Sequence, residues 1–147
     1  MIIRLSMLLV MLNGLTACDG SSSGPGEIEI IRDRWGIAHV YAESEQALFF
    51  GYGHAMAEDR MFQMMLRRRA AEGRLAEILG PGADNRFVSL DRRNRILGFK
   101  QLGERMVERL EPDTRATFEA FAGGVNAYLE RHAEQLSPLF DEYGGRP

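Results

Sequence analysis

The chain contains 147 residues, of which 45% are hydrophobic and 27% charged, and its formal net charge is −3 at pH 7. This length is enough for one domain, and the apolar content is ordinary for a soluble protein. The mildly acidic balance excludes a general electrostatic attraction for nucleic acid, so we expect no nucleic-acid partner.

Residues 1–17 are predicted to form a lipoprotein signal peptide. The apolar run Met7–Leu12 is too short to span a bilayer and suits the core of a signal peptide. It leads into LTAC at residues 15–18, which resembles the bacterial lipobox, whose cysteine is lipidated and becomes the new N-terminus. We therefore predict lipidation of Cys18, export, and an anchor in a bacterial membrane with the chain facing the periplasm. The alternative is an ordinary secretory leader with an incidental cysteine, or a cysteine in the core.

A flexible tether and two strands are predicted next. Residues 18–26 include a small, polar, glycine-rich stretch, which is typical of a flexible tether. Ile28 and Ile30 alternate with glutamates, the period of a half-buried strand. The turn signal DRWG at residues 33–36 precedes a second short strand at Ile37–Ala42.

A long helix is predicted after Ser44, which suits the N-cap position. Apolar residues recur at three- and four-residue steps from Leu48 to Leu66, and further methionines and a phenylalanine make the helix apolar on almost every side. Such a helix belongs in the middle of a large protein. Glycines at 51, 53 and 73 predict breaks or bends, and GPG at residues 80–82 ends the run.

Asp59 and Arg60 place an acid and a base in the middle of this helix. Asp59 falls on the apolar seam, where a carboxylate needs a partner because a lone buried charge is costly. Adjacent helical residues do not face each other. We therefore expect Asp59 and Arg60 each to meet a partner from another segment and to fix how the helix packs, which is a structural role and not a catalytic one.

The C-terminal half is predicted to be mostly helical. We expect a loop or short turn at residues 84–91, then a helix from about Asp91 to Leu110 with an apolar stripe along one face. Pro112 suits the first turn of the next helix, whose core stripe runs from Phe118 to Tyr128. A final segment starts at residue 138 and ends as coil.

Two adjacent glycines, Gly123 and Gly124, lie inside that last long helix. Each costs roughly 1 kcal/mol relative to alanine in a helix interior. The expected compensation is the close approach of another backbone.

The remaining polar and methionine-rich motifs predict no catalytic or metal site. His39, His54 and His132 lack the spacing of a zinc site, so packed or surface histidines are expected, although His54 lies one turn before Glu58. The arginines at 67–69 and 74 are interpreted as a solvated face paired with glutamates, with a nucleic-acid patch as the alternative. Core packing is preferred to an adaptable pocket for the methionines at 56, 61, 64 and 65.

These motifs, in this order, resemble the penicillin acylase family of N-terminal-nucleophile amidohydrolases. They are EIEIIRDRWGIAHVYAES from residue 27, GYGHAMAEDRMFQM from residue 51, EGRLAEILG from residue 72 and FAGGVNAYLERH from residue 121. The resemblance implies that residues 27–147 are the N-terminal portion of an α chain. The expected class is mainly α with a short N-terminal β element, as a fragment of the αββα N-terminal-nucleophile hydrolase fold.

The resemblance also implies a function for the intact enzyme. Such enzymes hydrolyse a linear amide of a small N-acyl compound, such as a β-lactam or an acyl-homoserine lactone. Their nucleophile is the first residue of a β chain cut from the same precursor, so we assign no catalytic residue and no metal ligand here. The β chain is the expected partner, the family allows calcium in the intact enzyme, and the fragment alone is expected to be inactive. The alternative is a small non-catalytic helical lipoprotein that acts as a binding or structural partner.

Overall fold

The computed structural model describes residues 26–143, which form a two-stranded sheet, six α-helices and a 3₁₀ turn at Ala83–Asn85. The strands are β1 (Ile28–Arg32) and β2 (Ala38–Ala42), and the helices are α1 (Glu45–Glu72), α2 (Ala76–Leu79), α3 (Arg86–Leu97), α4 (Phe99–Val107), α5 (Pro112–His132) and α6 (Leu139–Tyr143). The prediction of a mainly helical chain with a short β element at the front is therefore confirmed.

The predicted signal peptide, Cys18 and nearly all of the predicted tether lie outside the described residues. Within residues 26–143, no helix is both long enough and apolar enough to cross a membrane.

The two strands pair in an antiparallel register that runs from Ile28 opposite Ala42 to Arg32 opposite Ala38. Half-buried and exposed residues alternate along both strands, because successive side chains point to opposite faces of the sheet. The inner face lies against α1. A Cβ at Gly51 of α1 would lie 2.7 Å from a side-chain carbon of Ile28 on the sheet, so only glycine leaves room for this contact.

Helix α1 begins at the predicted cap, where Ser44 Oγ accepts a hydrogen bond of 3.1 Å from the N–H three residues later. The predicted bend at Gly51 or Gly53 is wrong, since the helix continues through both glycines, which are buried where other elements approach. It is distorted instead at Arg60, whose φ of −141° and ψ of 22° are not helical. The predicted break at Gly73 is confirmed, since α1 ends there and Gly73 has a left-handed φ of 70°.

Helices α1 and α5 cross with their backbones in contact at two glycines. A Cβ at Gly53 would overlap the carbonyl oxygen of Phe121, and a Cβ at Gly124 would overlap the carbonyl oxygen of Phe50. The predicted close approach of another backbone is therefore confirmed at Gly124. At Gly123 the neighbour is instead the Phe50 ring, at an ordinary distance of 3.4 Å.

The hydrophobic core lies beside this crossing and is thin. Its buried members are Ala57, Met61, Met65 and Phe140. Phe62 meets the Phe140 ring edge-on at a centroid distance of 5.2 Å, which joins α6 to α1. No large side chain among the described residues is fully buried, so this part of the chain keeps much of its apolar surface uncovered.

The region after residue 82 differs from its prediction in two ways. The predicted loop or short turn at 84–91 is confirmed only at its start, where Asp84 and Asn85 lie in a 3₁₀ turn with positive φ angles of 52° and 55°. It is wrong for the later residues, because α3 already begins at Arg86. The single helix expected up to residue 110 is also wrong. Gly98 divides it with a left-handed φ of 69°, and its N–H bonds the last carbonyls of α3 before α4 begins.

The expected core stripes of the later helices are only partly buried. Phe121 and Tyr128 of α5 are half-buried, whereas Phe118 is exposed. The predicted stripe on α4 is wholly exposed, and α4 contains no buried residue.

We predict that Gly124→Ala destabilises the chain while Gly123→Ala does not. The first places a methyl group in the backbone of α1, and overpacking of this kind costs about 1–3 kcal/mol. The second gains helix propensity of roughly 0.5–1 kcal/mol and makes an ordinary contact with Phe50. Urea denaturation followed by circular dichroism measures both, and equal midpoints for the two variants would contradict the described crossing.

Candidate functional site

One polar cluster joins the sheet to the distorted part of α1. Arg32, at the end of β1, pairs with Glu58 at 2.7 Å and with Asp59 at 2.9 Å. Its other terminal nitrogen donates to the carbonyl oxygen of Gly36 in the strand-connecting turn, at 2.9 Å. One guanidinium therefore links β1, the turn and α1, as its planar set of donors allows.

The cluster is at the surface and not in the interior. The Asp59 side chain is 45% exposed, so the expectation that it lies on the buried seam is wrong. The physical reason is that the residues around Asp59 face a cleft between α1 and the segment after α5. Hydrogen bonding to Glu58, and then to Asp59, raises the pKa of Arg32 above its ordinary value, so the guanidinium stays charged at physiological pH.

The expected separate partner is present for Asp59 and not for Arg60. Asp59 meets Arg32 from another segment, whereas Arg60 makes no ion pair or side-chain hydrogen bond within residues 26–143. Arg60 instead marks the distortion of α1 and lines the cleft of about 560 Å³ beside Tyr128 and Ser137. The packing role assigned to Asp59 and Arg60 remains a prediction.

The turn between the strands is built on a carboxylate. Asp33 Oδ1 accepts hydrogen bonds from the N–H groups of Ile37, at 2.9 Å, and Trp35, at 2.8 Å. The bond from Ile37, followed by that from Trp35, lowers the pKa of Asp33. Trp35 at the tip is 74% exposed, with the Arg34 guanidinium 4.8 Å from its ring centre.

Two of the three histidines contact the same aromatic ring, and the third lies near a carboxylate. His39 lies 3.6 Å from Asp33, His132 stacks on Tyr128 at 4.5 Å, and His54 meets the edge of the same ring at 5.6 Å. Desolvation lowers the pKa of His54, so it is neutral at pH 7. No hydroxyl bonds a histidine in the described part of the chain.

No metal site is present in residues 26–143, where no three His, Cys, Asp or Glu side chains converge to hold an ion. Calcium in the intact enzyme remains a prediction from the family resemblance. What this surface can do chemically is hold charge and position helices.

Two of the four methionines at 56, 61, 64 and 65 are buried, and the other two are half-buried. Met61 and Met65 are buried in the core, as the packing interpretation predicts. Met64 lines an apolar cleft of about 260 Å³ between α1 and α5, together with Val125 and Leu129. The predicted pairing of the nearby arginines with glutamates is confirmed for three of the four. Arg68 lies 3.9 Å from Glu72, Arg69 lies 3.0 Å from Glu77, and Arg74 bonds both glutamates, at 3.2 Å for Glu72 and 2.9 Å for Glu77. Arg67 makes no ion pair within residues 26–143.

Sequence reasoning missed a buried polar clasp between α3 and the end of α1. Asp91, only 4% exposed, accepts hydrogen bonds from the N–H groups of Leu75 and Ala76 at 2.9 and 2.8 Å. Asn94 Nδ2 donates to the Ala70 carbonyl at 2.7 Å, and Arg95 Nε donates to the Gly73 carbonyl. These side chains satisfy backbone groups that a helix end leaves unpaired.

The available signal was the spacing Asp91-x-x-Asn94, which places two short polar side chains on one helical face.

We predict that Asp59→Ala lowers the free energy of unfolding by no more than about 1 kcal/mol, because half-exposed ion pairs contribute little. Arg32→Ala should cost more, since it removes the partner of both carboxylates and the bond to Gly36. Both losses should shrink in 1 M salt.

Arg67→Ala is the matched control, because Arg67 is exposed and has no ion pair in the described residues. Denaturation curves at low and high salt provide the measurement. A loss near 3 kcal/mol for Asp59→Ala would mean that the carboxylate is buried in the intact protein.

Comparison with known proteins gives one consistent result. Residues 27–147 match the sequence model of the family described as penicillin amidase. The chain is 34% identical over 125 residues to penicillin G acylase of Escherichia coli, covering 82% of this chain and 14% of that protein. It is 38% identical over 133 residues to penicillin acylase 2 proenzyme of Pseudomonas sp. strain SE83, covering 88% and 16%.

Two further comparisons extend this result. The acyl-homoserine lactone acylase QuiP of Pseudomonas aeruginosa is 34% identical over 120 residues, covering 82% of this chain and 14% of that protein. A solved structure, thermostable penicillin G acylase from Alcaligenes faecalis, superimposes with a TM-score of 0.73 at 35% identity, covering 82% of this chain and 64% of that chain. The chain therefore spans about one seventh of the length of the three acylase sequences named here.

Proposed function

Because this chain belongs to the penicillin amidase family, we propose that it is the N-terminal portion of the α chain of an N-terminal-nucleophile amidohydrolase precursor. The observation that carries the proposal is the likeness to the Alcaligenes faecalis acylase, with a TM-score of 0.73 at 35% identity. A relative described as a proenzyme supports a precursor. The small fraction of each relative that this chain spans supports a much longer intact protein.

We propose that the β1–β2 hairpin joins a larger sheet in the intact enzyme, as part of an αββα fold. Each strand pairs only with the other within residues 26–143, so each keeps one edge of free N–H and C=O groups. The outward face carries exposed apolar side chains, among them Ile31, Ile37 and Tyr41. A strand and a second layer from the remaining polypeptide would cover both.

The proposed reaction is hydrolysis of a linear amide. The hydroxyl of the N-terminal residue of the β chain attacks the amide carbonyl, and the free α-amine of that residue takes the proton. Donors around the carbonyl stabilise the oxyanion, the amine leaves with a proton, and water then releases the acid from the acyl-enzyme. We assign neither the nucleophile of this reaction nor any metal-dependent step to the described residues.

In this proposal the residues of this chain have a structural role, because they hold the elements of the fold in place. Arg32 fixes the hairpin to α1, and the glycine crossing fixes α1 to α5. The substrate would be a small N-acyl compound, because the named relatives are acylases of penicillin and of acyl-homoserine lactones. A hydrolysis assay with one compound of each class distinguishes penicillins from acyl-homoserine lactones as substrates.

We predict that the full reading frame containing these 147 residues yields two chains and hydrolyses an N-acyl substrate, while residues 1–147 alone do not. Intact-mass analysis detects the cut, and amine release from penicillin G and from an acyl-homoserine lactone measures activity. Alanine in place of the new N-terminal residue of the second chain is the control and should abolish hydrolysis.

A reading frame that closes soon after Pro147, with a soluble, cooperatively folding and inactive product, would overturn the proposal. That outcome would favour the non-catalytic helical lipoprotein instead.

We further propose that Cys18 carries the lipid anchor and that the protein faces the periplasm. The support is the LTAC sequence and the short apolar run before it. We predict that the protein partitions into the detergent phase of Triton X-114 and that Cys18→Ala moves it to the aqueous phase, because each buried methylene contributes about 0.8 kcal/mol. Equal partitioning of the two proteins, or a mass lacking acyl chains, would contradict this.

A further inference from the structure

Helix α3 is rich in arginine in a chain that is acidic as a whole. It contains four arginines and a single acid, whereas the whole chain has a formal net charge of −3. The acid, Asp91, is buried together with Asn94 on the side of α3 that bonds the end of α1. Four exposed polar residues lie on the other side of the helix and form a surface here called the α3 arginine face: Arg86, Ser89, Arg92 and Arg93.

The three arginines of this face have no acidic partner. None of them makes an ion pair within residues 26–143, and no Asp or Glu lies three or four residues from any of them. In α1, α4 and α5, by contrast, a basic residue pairs with a glutamate four residues later: Arg68–Glu72, Lys100–Glu104 and Arg115–Glu119.

The α3 arginine face also does not stabilise its own helix. Arg86 is the first residue of α3, where a positive charge is unfavourable beside the positive end of the helix dipole. Arg92 lies three residues before Arg95, and like charges at this spacing repel each other. Because the fold gains nothing from these charges, they favour a role in binding an anion.

The geometry of the α3 arginine face suits a phosphate group at a surface. Arg86, Ser89 and Arg93 line one open cleft of about 720 Å³. The Arg86 guanidinium lies 4.5 Å from the centre of the Phe87 ring, a cation–π contact that holds it at this cleft. Guanidinium groups donate paired hydrogen bonds to phosphate oxygens, and a serine hydroxyl can donate another.

The distribution of charge decides which polyanion fits. Nucleic acid is bound through an excess of positive charge over a whole domain, and this chain is acidic. A local basic face acts only on a surface that is already close, because salt screens the attraction within about 10 Å. The chain from Cys18 to Ile28 spans at most about 35 Å when extended, so a lipid on Cys18 would keep the folded part beside the bilayer.

We propose that the α3 arginine face docks on the anionic phospholipid headgroups of the membrane that holds the Cys18 anchor. This rests on the lipid anchor proposed above, which supplies proximity, while the arginines set the orientation of the chain on the bilayer. The headgroup phosphates accept hydrogen bonds from Arg86, Arg92 and Arg93, and the acidic remainder of the chain stays in solvent.

The test is the binding of the full precursor to vesicles. The precursor is produced from Asp19 onwards, so that neither the leader nor an acyl chain contributes. We expect it to sediment with vesicles of phosphatidylglycerol and phosphatidylcholine in equal parts, but not with phosphatidylcholine alone. Salt at about 1 M should release it, because the attraction is electrostatic.

Variants of equal charge locate the binding surface. One basic side chain near an anionic surface changes partitioning by about fivefold, so glutamine at all three arginines of the face should lower partitioning by about 100-fold. The matched control removes the same charge from three exposed arginines elsewhere and should lower partitioning by less than about threefold: Arg34→Gln, Arg109→Gln and Arg115→Gln. If the α3 variant does not fold by circular dichroism, Arg93→Gln alone gives the same test with a loss of about fivefold.

Two results would overturn the docking surface. One is an equal loss of partitioning in the α3 variant and the control variant, or equal binding to both kinds of vesicle. The other is tighter binding to a single-stranded DNA of matched phosphate concentration, lost in the α3 variant, which would assign the face to nucleic acid.

The same preparation separates this proposal from the proposed function. A precursor that is cut and hydrolyses amides but does not bind the vesicles would overturn only the docking surface. Vesicle binding that depends on the three arginines, in a precursor that is never cut and never hydrolyses an amide, would keep the docking surface and remove the proposed function.

Discussion

The described structure depends on the contact between the backbones of α1 and α5. Gly53 and Gly124 remove the two side-chain positions that would keep the helices apart, so each helix meets the carbonyl oxygens of the other. The thin core around Met61 and Phe140 lies beside this contact. Small residues at a crossing allow close packing over a limited area, which compensates for a core that contains few large buried side chains.

Features with local causes could be predicted from the sequence. Ser44 caps α1 with its own hydroxyl, and Pro112 begins α5 because its fixed φ suits the first helical turn. Gly51 and Gly53 misled the prediction because glycine weakens a helix by propensity, whereas here tertiary packing requires it. Gly98 was not recognised as a helix end because the apolar spacing continues across it.

The polar contacts were less predictable, because they join segments distant in sequence. The need of Asp59 for a partner followed from its charge, but the identity of Arg32 and the exposure of the pair depend on where the hairpin lies on α1. Asp91 and Asn94 were not identified, since nothing nearby in sequence indicates the backbone groups they satisfy. The family resemblance, by contrast, rested on motif order and needed no knowledge of packing.

The clasp has a consequence for the order of folding. It connects Asp91 to Leu75 across 16 residues, whereas the glycine crossing joins positions about 70 residues apart. The entropy lost on closing the shorter loop is smaller by about 1.3 kcal/mol, from the logarithmic dependence on loop length. The packed pair of α1 and α3 can therefore form while α5 is still being synthesised, and it gives α5 a preformed surface to pack against.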